Sequence, residues 1–278
     1  MIWTNTSLFN SLLPAGQVTL DKSKATVIIL GALPIDINEF PNVTFIFRAG
    51  VGTDNVNFPD IRPIRRIAVE FPSQETKNLI YEETANFTCY LIFKMLYDDL
   101  VQRGPDYVSW TSERRNILTN KRLLLLGLGN IGSRVLLKMT PFINNISTYD
   151  IRYDKVAPNY SEADIISLHV PLCEENKGFI NKDILDQCKG TAILINTARG
   201  PIVDEDDLYN KLKHTEIRAA FDAFWDEPYT GKLTEFSSDK FFMTPHIASS
   251  SIEFVESCYK DFKTHSREKF MQCLNKKN

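Results

Sequence analysis

The hexad Gly127-Leu128-Gly129-Asn130-Ile131-Gly132 follows the apolar run Arg122 to Leu126 and opens a stretch with helical spacing, Ile131 to Met139, which Pro141 stops. Each glycine has its own physical reason to be there. The first turns the chain tightly, the second lets backbone approach a pyrophosphate, and the third lets helix and strand pack closely. About 20 residues further on, at the end of the next extended run, Asp150 offers a carboxylate to the hydroxyls of an adenosine ribose. Strand, glycines, helix and acid in this order point to a dinucleotide site built from Gly127, Gly129, Asn130, Ile131, Gly132 and Asp150, rather than to a ligand-free turn. A carboxylate there repels a ribose 2′-phosphate, so the expected cofactor is NAD and not NADP. Arg152 weakens that preference without reversing it.

Three more groups stand just past the carboxyl ends of expected strands, where open parallel sheets bind their ligands. They are Asn196-Thr197-Ala198-Arg199-Gly200, Phe221-Asp222-Ala223-Phe224-Trp225-Asp226-Glu227-Pro228 and Thr244-Pro245-His246-Ile247-Ala248. With the earlier run Arg48-Ala49-Gly50-Val51-Gly52-Thr53-Asp54-Asn55-Val56, they make the chain resemble the D-isomer-specific 2-hydroxyacid dehydrogenases from about residue 43 to 250. The Arg48-Ala49-Gly50 run with the downstream spacing of Asp54 to Pro72 is most similar to D-3-phosphoglycerate dehydrogenases, and the chain is expected to lack their C-terminal regulatory domain.

The resemblance implies an oxidoreductase that moves a hydride between NAD(H) and a small D-2-hydroxy acid or 2-keto acid, phosphorylated or not. Reducing a 2-keto acid requires a hydride donor, a cation for the carboxylate and a proton for the carbonyl oxygen. The planar guanidinium of Arg199 suits the carboxylate and polarises the neighbouring carbonyl. A free histidine titrates at about pH 6.5 and so can both give and take a proton near neutrality, which makes His246 the candidate to deliver the proton and take it back in the oxidative direction. By resemblance, Glu227 hydrogen-bonds the other ring nitrogen of His246, and Asp222 accepts from the nicotinamide amide. His169, beside Pro171, lines the cofactor cleft, with Thr197 and Ala198 also at the cofactor. The backbone N–H groups of Gly50, Val51 and Gly52 hold the substrate carboxylate from the other domain, and closure of the domains excludes water. Arg48 and the cluster Arg62, Arg65 and Arg66 suit an anionic or phosphorylated substrate, although such a cluster is more often a solvated face. His214 and His265 are expected to be exposed, and Trp110 and Trp225 to be packing aromatics.

These residues need elements to position them. Ile2 to Thr4, Val27 to Leu30 and Val43 to Arg48 read as strands in the first part of the chain. Glu82 to Asp99 reads as a helix. After Lys121 strands alternate with helices: Arg122 to Leu126, Ile146 to Tyr149, Ile165 to Val170, Ala192 to Asn196, Ile217 to Phe221 and Phe241 to Thr244, with a helix over Glu205 to Lys213. Ser250 to Met271 is helical in pattern and long enough to return to the first domain. The expected fold is α/β, with two Rossmann-like or flavodoxin-like parallel-sheet domains. The substrate domain is discontinuous, 1–81 with 253–278, and the NAD-binding domain is 82–252.

Composition narrows the partners. The 278 residues include 32 Lys and Arg against 35 Asp and Glu, for a net charge of -3, so there is no general basic field to hold nucleic acid. No apolar run is long enough for a membrane span. The five cysteines lack C-x-x-C spacing, which suits a reducing cytoplasmic setting and neither a disulfide framework nor a metal site. By resemblance the chain forms a homodimer, with the Glu82 to Asp99 helix at the contact. Three departures from the family pattern stand out. The stretch from Asp150 to His169 is too short for the usual helix, strand and helix, so the sheet edge by the adenine should be abbreviated and the adenine pocket more open. Phe58 to Arg66 replaces a short helix, and Glu70 stands where Asn is usual. Two other functions share the scaffold. One is an NAD(H)-sensing corepressor-like binding protein, which would bind cofactor without turnover. The other is a formate dehydrogenase, disfavoured because those enzymes place Gln before the histidine.

Overall fold

The structure, a computed structural model, describes residues 1–56, 67–97 and 117–275, those past 266 as backbone only. Trp110 and the whole Phe58 to Arg66 segment, with Arg62, Arg65 and Arg66, lie outside the described residues. The chain divides into two compact units, Met1–Ile80 with Ser250–Asn278, and Tyr81–Ser249.

The first unit is built on four parallel strands in sequence order: β1 Ile2–Thr4, β2 Val27–Leu30, β3 Phe45–Arg48 and β4 Ala68–Glu70. The apolar runs of β2 and β3 pair in register, Ile28 with Ile46 and Leu30 with Arg48. Successive side chains point to opposite faces, and both faces are covered. Ile29 and Phe47 pack with Phe254, Cys258 and Phe262 of the C-terminal helix, whereas Ile28, Leu30 and Ile46 pack with Phe40 and Val56.

The second unit is a six-stranded parallel sheet formed by β5 Arg122–Leu126, β6 Asn145–Tyr149, β7 Ile165–Leu168, β8 Ile193–Asn196, β9 Arg218–Phe221 and β10 Phe241–Met243. Their order is β10-β9-β8-β7-β5-β6. The chain leaves β5 toward one edge for β6 and then crosses to β7 on the other side, so the switch point lies between the carboxyl ends of β5 and β7. On one face Leu123, Leu125, Ile165 and Ile195 pack with helices α1 (Gln74–Tyr97) and α2 (Gly132–Met139), through Leu91, Ile92, Met95, Val135 and Met139. On the other face Leu124, Leu126, Leu168 and Phe221 pack with α3 (Lys182–Gln187) and α4 (Glu205–His214), through Leu185, Leu208 and Leu212. α5, Ile252–Asn275, ends the described chain.

Several expectations are corrected. Helix α1 begins at Gln74 rather than Glu82. Pro72 precedes it, and the Ser73 hydroxyl accepts from the Thr76 N–H as an N-cap. The sequence hid this first stretch because its buried face is polar: Thr76 is fully buried and its hydroxyl bonds Ser257 and Asp261 at 2.6 Å. Strand β4 and helix α3 were not anticipated, being short and without clear periodicity. His265 is not exposed; its ring packs on Phe47 and its Nδ1 lies 4.0 Å from Glu70. Between β6 and β7 there is only a short 3-10 turn, Tyr160–Glu162, so β6 is the outermost strand. Among the described residues no helix is long and apolar enough to cross a membrane.

Candidate functional site

The glycine loop follows β5 at the switch point. Gly127 takes a φ of +98°, and a Cβ there would lie 2.6 Å from the His169 carbonyl oxygen after β7. At Gly132 a Cβ would meet the Gly127 carbonyl oxygen at 2.0 Å. These two glycines are therefore required by a turn and by close packing. Gly129 differs, because a Cβ there meets nothing within 4 Å. Gly127 N–H donates to Tyr149 and Leu128 N–H to Asp150, whereas the N–H groups of Gly129, Asn130 and Ile131 make no recorded hydrogen bond among the described residues. Open space beside free N–H groups at a helix N-terminus is a cradle for the diphosphate of a dinucleotide.

His169 borders this loop. Its Nε2 pairs with the Ser167 hydroxyl at 2.9 Å, and its Nδ1 is buried with no hydrogen-bond partner among the described residues. Burial pulls its pKa down to about 4, so the ring is neutral. Pro171 is exposed and its carbonyl accepts from the Asn176 amide. At the end of β6 the buried Asp150 carboxylate is held well below the usual range, chiefly by the hydrogen-bonded guanidinium of Arg152.

The candidate reactive groups are set on loops after β8, β9 and β10. Asn196, fully buried, shapes the first loop: its amide donates to the Arg199 carbonyl at 2.8 Å and its oxygen accepts from Ala198 N–H at 3.0 Å. The Thr197 hydroxyl is fixed to Thr88 of α1 at 2.8 Å. Arg199 follows, partly exposed, with one Nη donating to the Ala198 carbonyl. Gly200 is obligatory, because a Cβ would fall 2.2 Å from the Phe224 carbonyl carbon and 2.4 Å from Trp225 N. That approach brings the second loop against the first. Trp225 then locks in place by stacking on Phe221 and donating from Nε1 to Val203.

Asp222, at 1% exposure, binds the third loop rather than remaining open. It accepts from the Thr244 hydroxyl at 2.6 Å and from the N–H groups of Ile247 at 2.9 Å and Ala248 at 2.8 Å. Burial raises its pKa despite these bonds. The loop so held carries His246 at a φ of +53°, a left-handed conformation that a non-glycine residue keeps only when its surroundings impose it. The His246 Nδ1 meets both oxygens of Glu227, at 2.8 and 2.9 Å. Burial works against the Glu227 charge, but hydrogen bonds from His246 and Phe224 N–H and the nearby charges of His246 and Arg199 prevail, so its pKa is lowered. With Nδ1 engaged, Nε2 is the ring nitrogen left to exchange a proton. The structure thus gathers Glu227 and His246 with Asp222 beneath them, and it adds Thr88, along with positioning roles for Asn196 and Thr244 that their place in the motifs does not reveal. An Asn after an apolar strand and two residues before Ala198 was the available signal for Asn196.

The Gly50 to Gly52 loop belongs to the first unit. Arg48 is 3% exposed, and its Nε donates to the Gly52 carbonyl at 3.1 Å and to Asn55 at 3.0 Å. Asn55, buried and also missed, ties the loop to the Gly31 and Ala32 carbonyls. The N–H groups of Val51 and Gly52 have no recorded partner among the described residues. No cluster of side chains suited to a metal occurs among the described residues.

A doubly wound sheet with a glycine cradle at its switch point and an acid-paired histidine at the strand ends defines a dinucleotide-dependent oxidoreductase. Residues 95–248 match the profile of the D-isomer-specific 2-hydroxyacid dehydrogenase NAD-binding domain. Over 77% of its length the chain is 35% identical to glyoxylate reductase of Thermofilum pendens, covering 68% of that protein. It is 35% identical to hydroxypyruvate reductase of Thermotoga maritima over 79% of this chain and 78% of that one. Its fold matches D-lactate dehydrogenase of Aquifex aeolicus, solved with NAD and lactic acid, at a TM-score of 0.75 and 21% identity, covering 99% of this chain and 96% of the other. The chain belongs to the D-isomer-specific 2-hydroxyacid dehydrogenase family of NAD-dependent oxidoreductases.

Proposed function

We propose that this enzyme reduces a small, unphosphorylated 2-keto acid of the glyoxylate or hydroxypyruvate kind to the D-2-hydroxy acid. The observation that carries the reading is the His246 ring, clamped through Nδ1 by Glu227 and presented on a strained loop. Bound NADH supplies the hydride. The cradle of Gly129, Asn130 and Ile131 N–H groups holds the diphosphate, with Asp150 at the adenosine end. Arg199 grips the substrate carboxylate and draws electron density from the adjacent carbonyl. The proton for the carbonyl oxygen comes from His246 Nε2, and Glu227 stabilises the charged ring and fixes its orientation. Asp222 acts by fixing the His246 loop, with acceptor capacity to spare for the nicotinamide amide. Within the first unit, Arg48 shapes the Gly50 to Gly52 loop through its bonds to Gly52 and Asn55.

Two names among the relatives, a glyoxylate reductase and a hydroxypyruvate reductase, support the choice of substrate. The enzyme is proposed to work in the cytoplasm as a homodimer, the half-exposed Tyr90 of α1 and Phe142 being available for the contact; light scattering would show a mass twice that of the chain. The test of activity is loss of NADH absorbance with glyoxylate, pyruvate, hydroxypyruvate and phosphohydroxypyruvate, with His246→Ala as control. Turnover of glyoxylate or hydroxypyruvate that disappears in the variant is the expected result. A preference for phosphohydroxypyruvate would replace the substrate assignment, and tight NADH binding without turnover of any acid would replace the reaction by a sensing role.

A further inference from the structure

The carboxylate of Asp150 is fully engaged within its own unit. Its Oδ2 accepts from Leu128 N–H at 2.9 Å and from an Arg152 Nη at 2.6 Å. Its Oδ1 accepts from the Arg152 N–H at 3.1 Å and from Arg152 Nε at 2.8 Å. A carboxylate offers about four lone-pair sites, so none is left for a ribose diol while the guanidinium stays in place. The two side chains are unequal: that of Asp150 is 6% exposed and that of Arg152 57%. The acid is fixed, and the base is able to swing. The Arg152 guanidinium also lies over the Tyr153 ring at 5.2 Å, the nearby Asp154 is occupied with the Asp150 N–H, and β6 is the last strand of the sheet. No outer strand walls off the space beyond Asp150 among the described residues.

An unpaired Asp at this position discriminates against NADP because its charge meets the 2′-phosphate. Here that charge is already neutralised by a two-point ion pair, and the cation is the exposed, movable partner. We propose that Arg152 is the specificity-determining residue of the adenosine site, and that by pairing with Asp150 in the free protein and turning to a 2′-phosphate in the complex it lets the enzyme take both NAD(H) and NADP(H). The inference rests on the proposed dinucleotide site. In NAD(H) binding the ribose diol must displace the guanidinium from Asp150, which weakens that complex. In NADP(H) binding the same guanidinium gains a phosphate, for which its planar fork is suited. Both effects narrow the gap between the two cofactors.

The test is calorimetric titration of the whole protein with ADP-ribose and with its 2′-phosphorylated counterpart, which report on the adenosine end without any turnover. In the unsubstituted protein the two affinities should lie within about tenfold of each other. Arg152→Ala should weaken the 2′-phosphorylated ligand about ten- to a hundredfold relative to ADP-ribose, the loss expected for charge-assisted hydrogen bonds. Arg152→Lys should recover part of that loss, and added salt should erode binding of the phosphorylated ligand more steeply. The side chain is exposed, so neither variant threatens folding. The proposal is overturned if Arg152→Ala changes both affinities by the same factor, or if the unsubstituted protein already prefers ADP-ribose more than about a hundredfold. Failure of both ligands to bind the unsubstituted protein would instead remove the dinucleotide site itself.

Discussion

The proposed reactive end and the proposed adenosine end of the loops at the carboxyl edge of the second sheet are built differently. At the reactive end, contacts join segments far apart in the chain: Asp222 holds Ile247 and Ala248, Glu227 holds His246, Thr88 holds Thr197, and Gly200 admits Phe224. At the adenosine end, the guanidinium that grips Asp150 comes from two residues away, and the sheet stops at β6. Proton transfer demands that the reacting groups be held to within fractions of an ångström, and only a packed tertiary framework provides that. Cofactor affinity and choice tolerate looser, local contacts. The reactive end should therefore be intolerant of change in rate, and the adenosine end should change its preferences without loss of fold.

Removing the proposed proton donor probes the proposed reactive end most severely. His246→Ala should lower kcat/KM with the best keto acid about a thousandfold, within the usual range for loss of a general acid, while circular dichroism stays unchanged. A loss under tenfold would place the proton source elsewhere. Glu227→Gln removes the charge but keeps the shape, and it frees the ring from its two-oxygen clamp. A drop in kcat of about a hundredfold is expected, as for modest misplacement of a reacting group, with KM much less affected. An equal rise in KM would mean that Glu227 serves binding instead.

His169 supplies a pH signature from the border of the glycine loop. Burial pulls its pKa from 6.5 to about 4, so the folded protein keeps the ring neutral while the unfolded chain takes up a proton first as the pH falls. The unfolded state then binds more protons, and the stability contributed is complete above pH 6.5 and lost progressively on the way down to 4. The full loss amounts to about 3 kcal/mol. Denaturant unfolding at a series of pH values should show it, and His169→Gln should flatten the curve in that window. The Glu227 contribution follows the same linkage, although there the folded state favours the charged form. Its lowered pKa keeps stability intact above the ordinary carboxylate range, and that stability disappears only at more acid pH.

The ease of reading these regions from sequence follows the range of their contacts. The hexad was legible because Gly127 and Gly132 obey constraints set by their neighbours, and most strands of the second sheet were legible because a strand buried on both faces is a plain apolar run. The start of α1 was hidden by Thr76, a polar residue on a buried face whose partners lie on α5. Asn55, Asn196 and Thr88 were passed over for the same reason: a buried polar side chain looks like a surface one until its acceptors are known. The left-handed His246 leaves no mark in the sequence, since its conformation is imposed by Asp222 from another strand. The sequence offers Asp150 as a candidate ribose acceptor, whereas its capture by Arg152 is a matter of side-chain geometry that proximity in sequence suggests and does not dictate.

The smallest change with a clear outcome compares two glycines of one hexad. Gly132→Ala drives a methyl group to 2.0 Å from the Gly127 carbonyl oxygen, a backbone atom that cannot turn aside. The loop must shift against α2, at a cost of about 1–3 kcal/mol in stability. Gly129→Ala places its methyl where nothing lies within 4 Å, and the residue has no positive φ to forbid it. The melting temperature should therefore stay the same. The methyl group nevertheless occupies the space that a diphosphate would need to reach the free N–H groups of Gly129, Asn130 and Ile131, so NADH affinity measured by fluorescence should fall about tenfold, as if one charge-assisted hydrogen bond were lost. Unchanged affinity with an unchanged melting temperature would move the diphosphate away from this loop. A fall in both would show that Gly129 serves folding as Gly132 does, and the contrast between a built framework and an open cradle would not hold within the hexad.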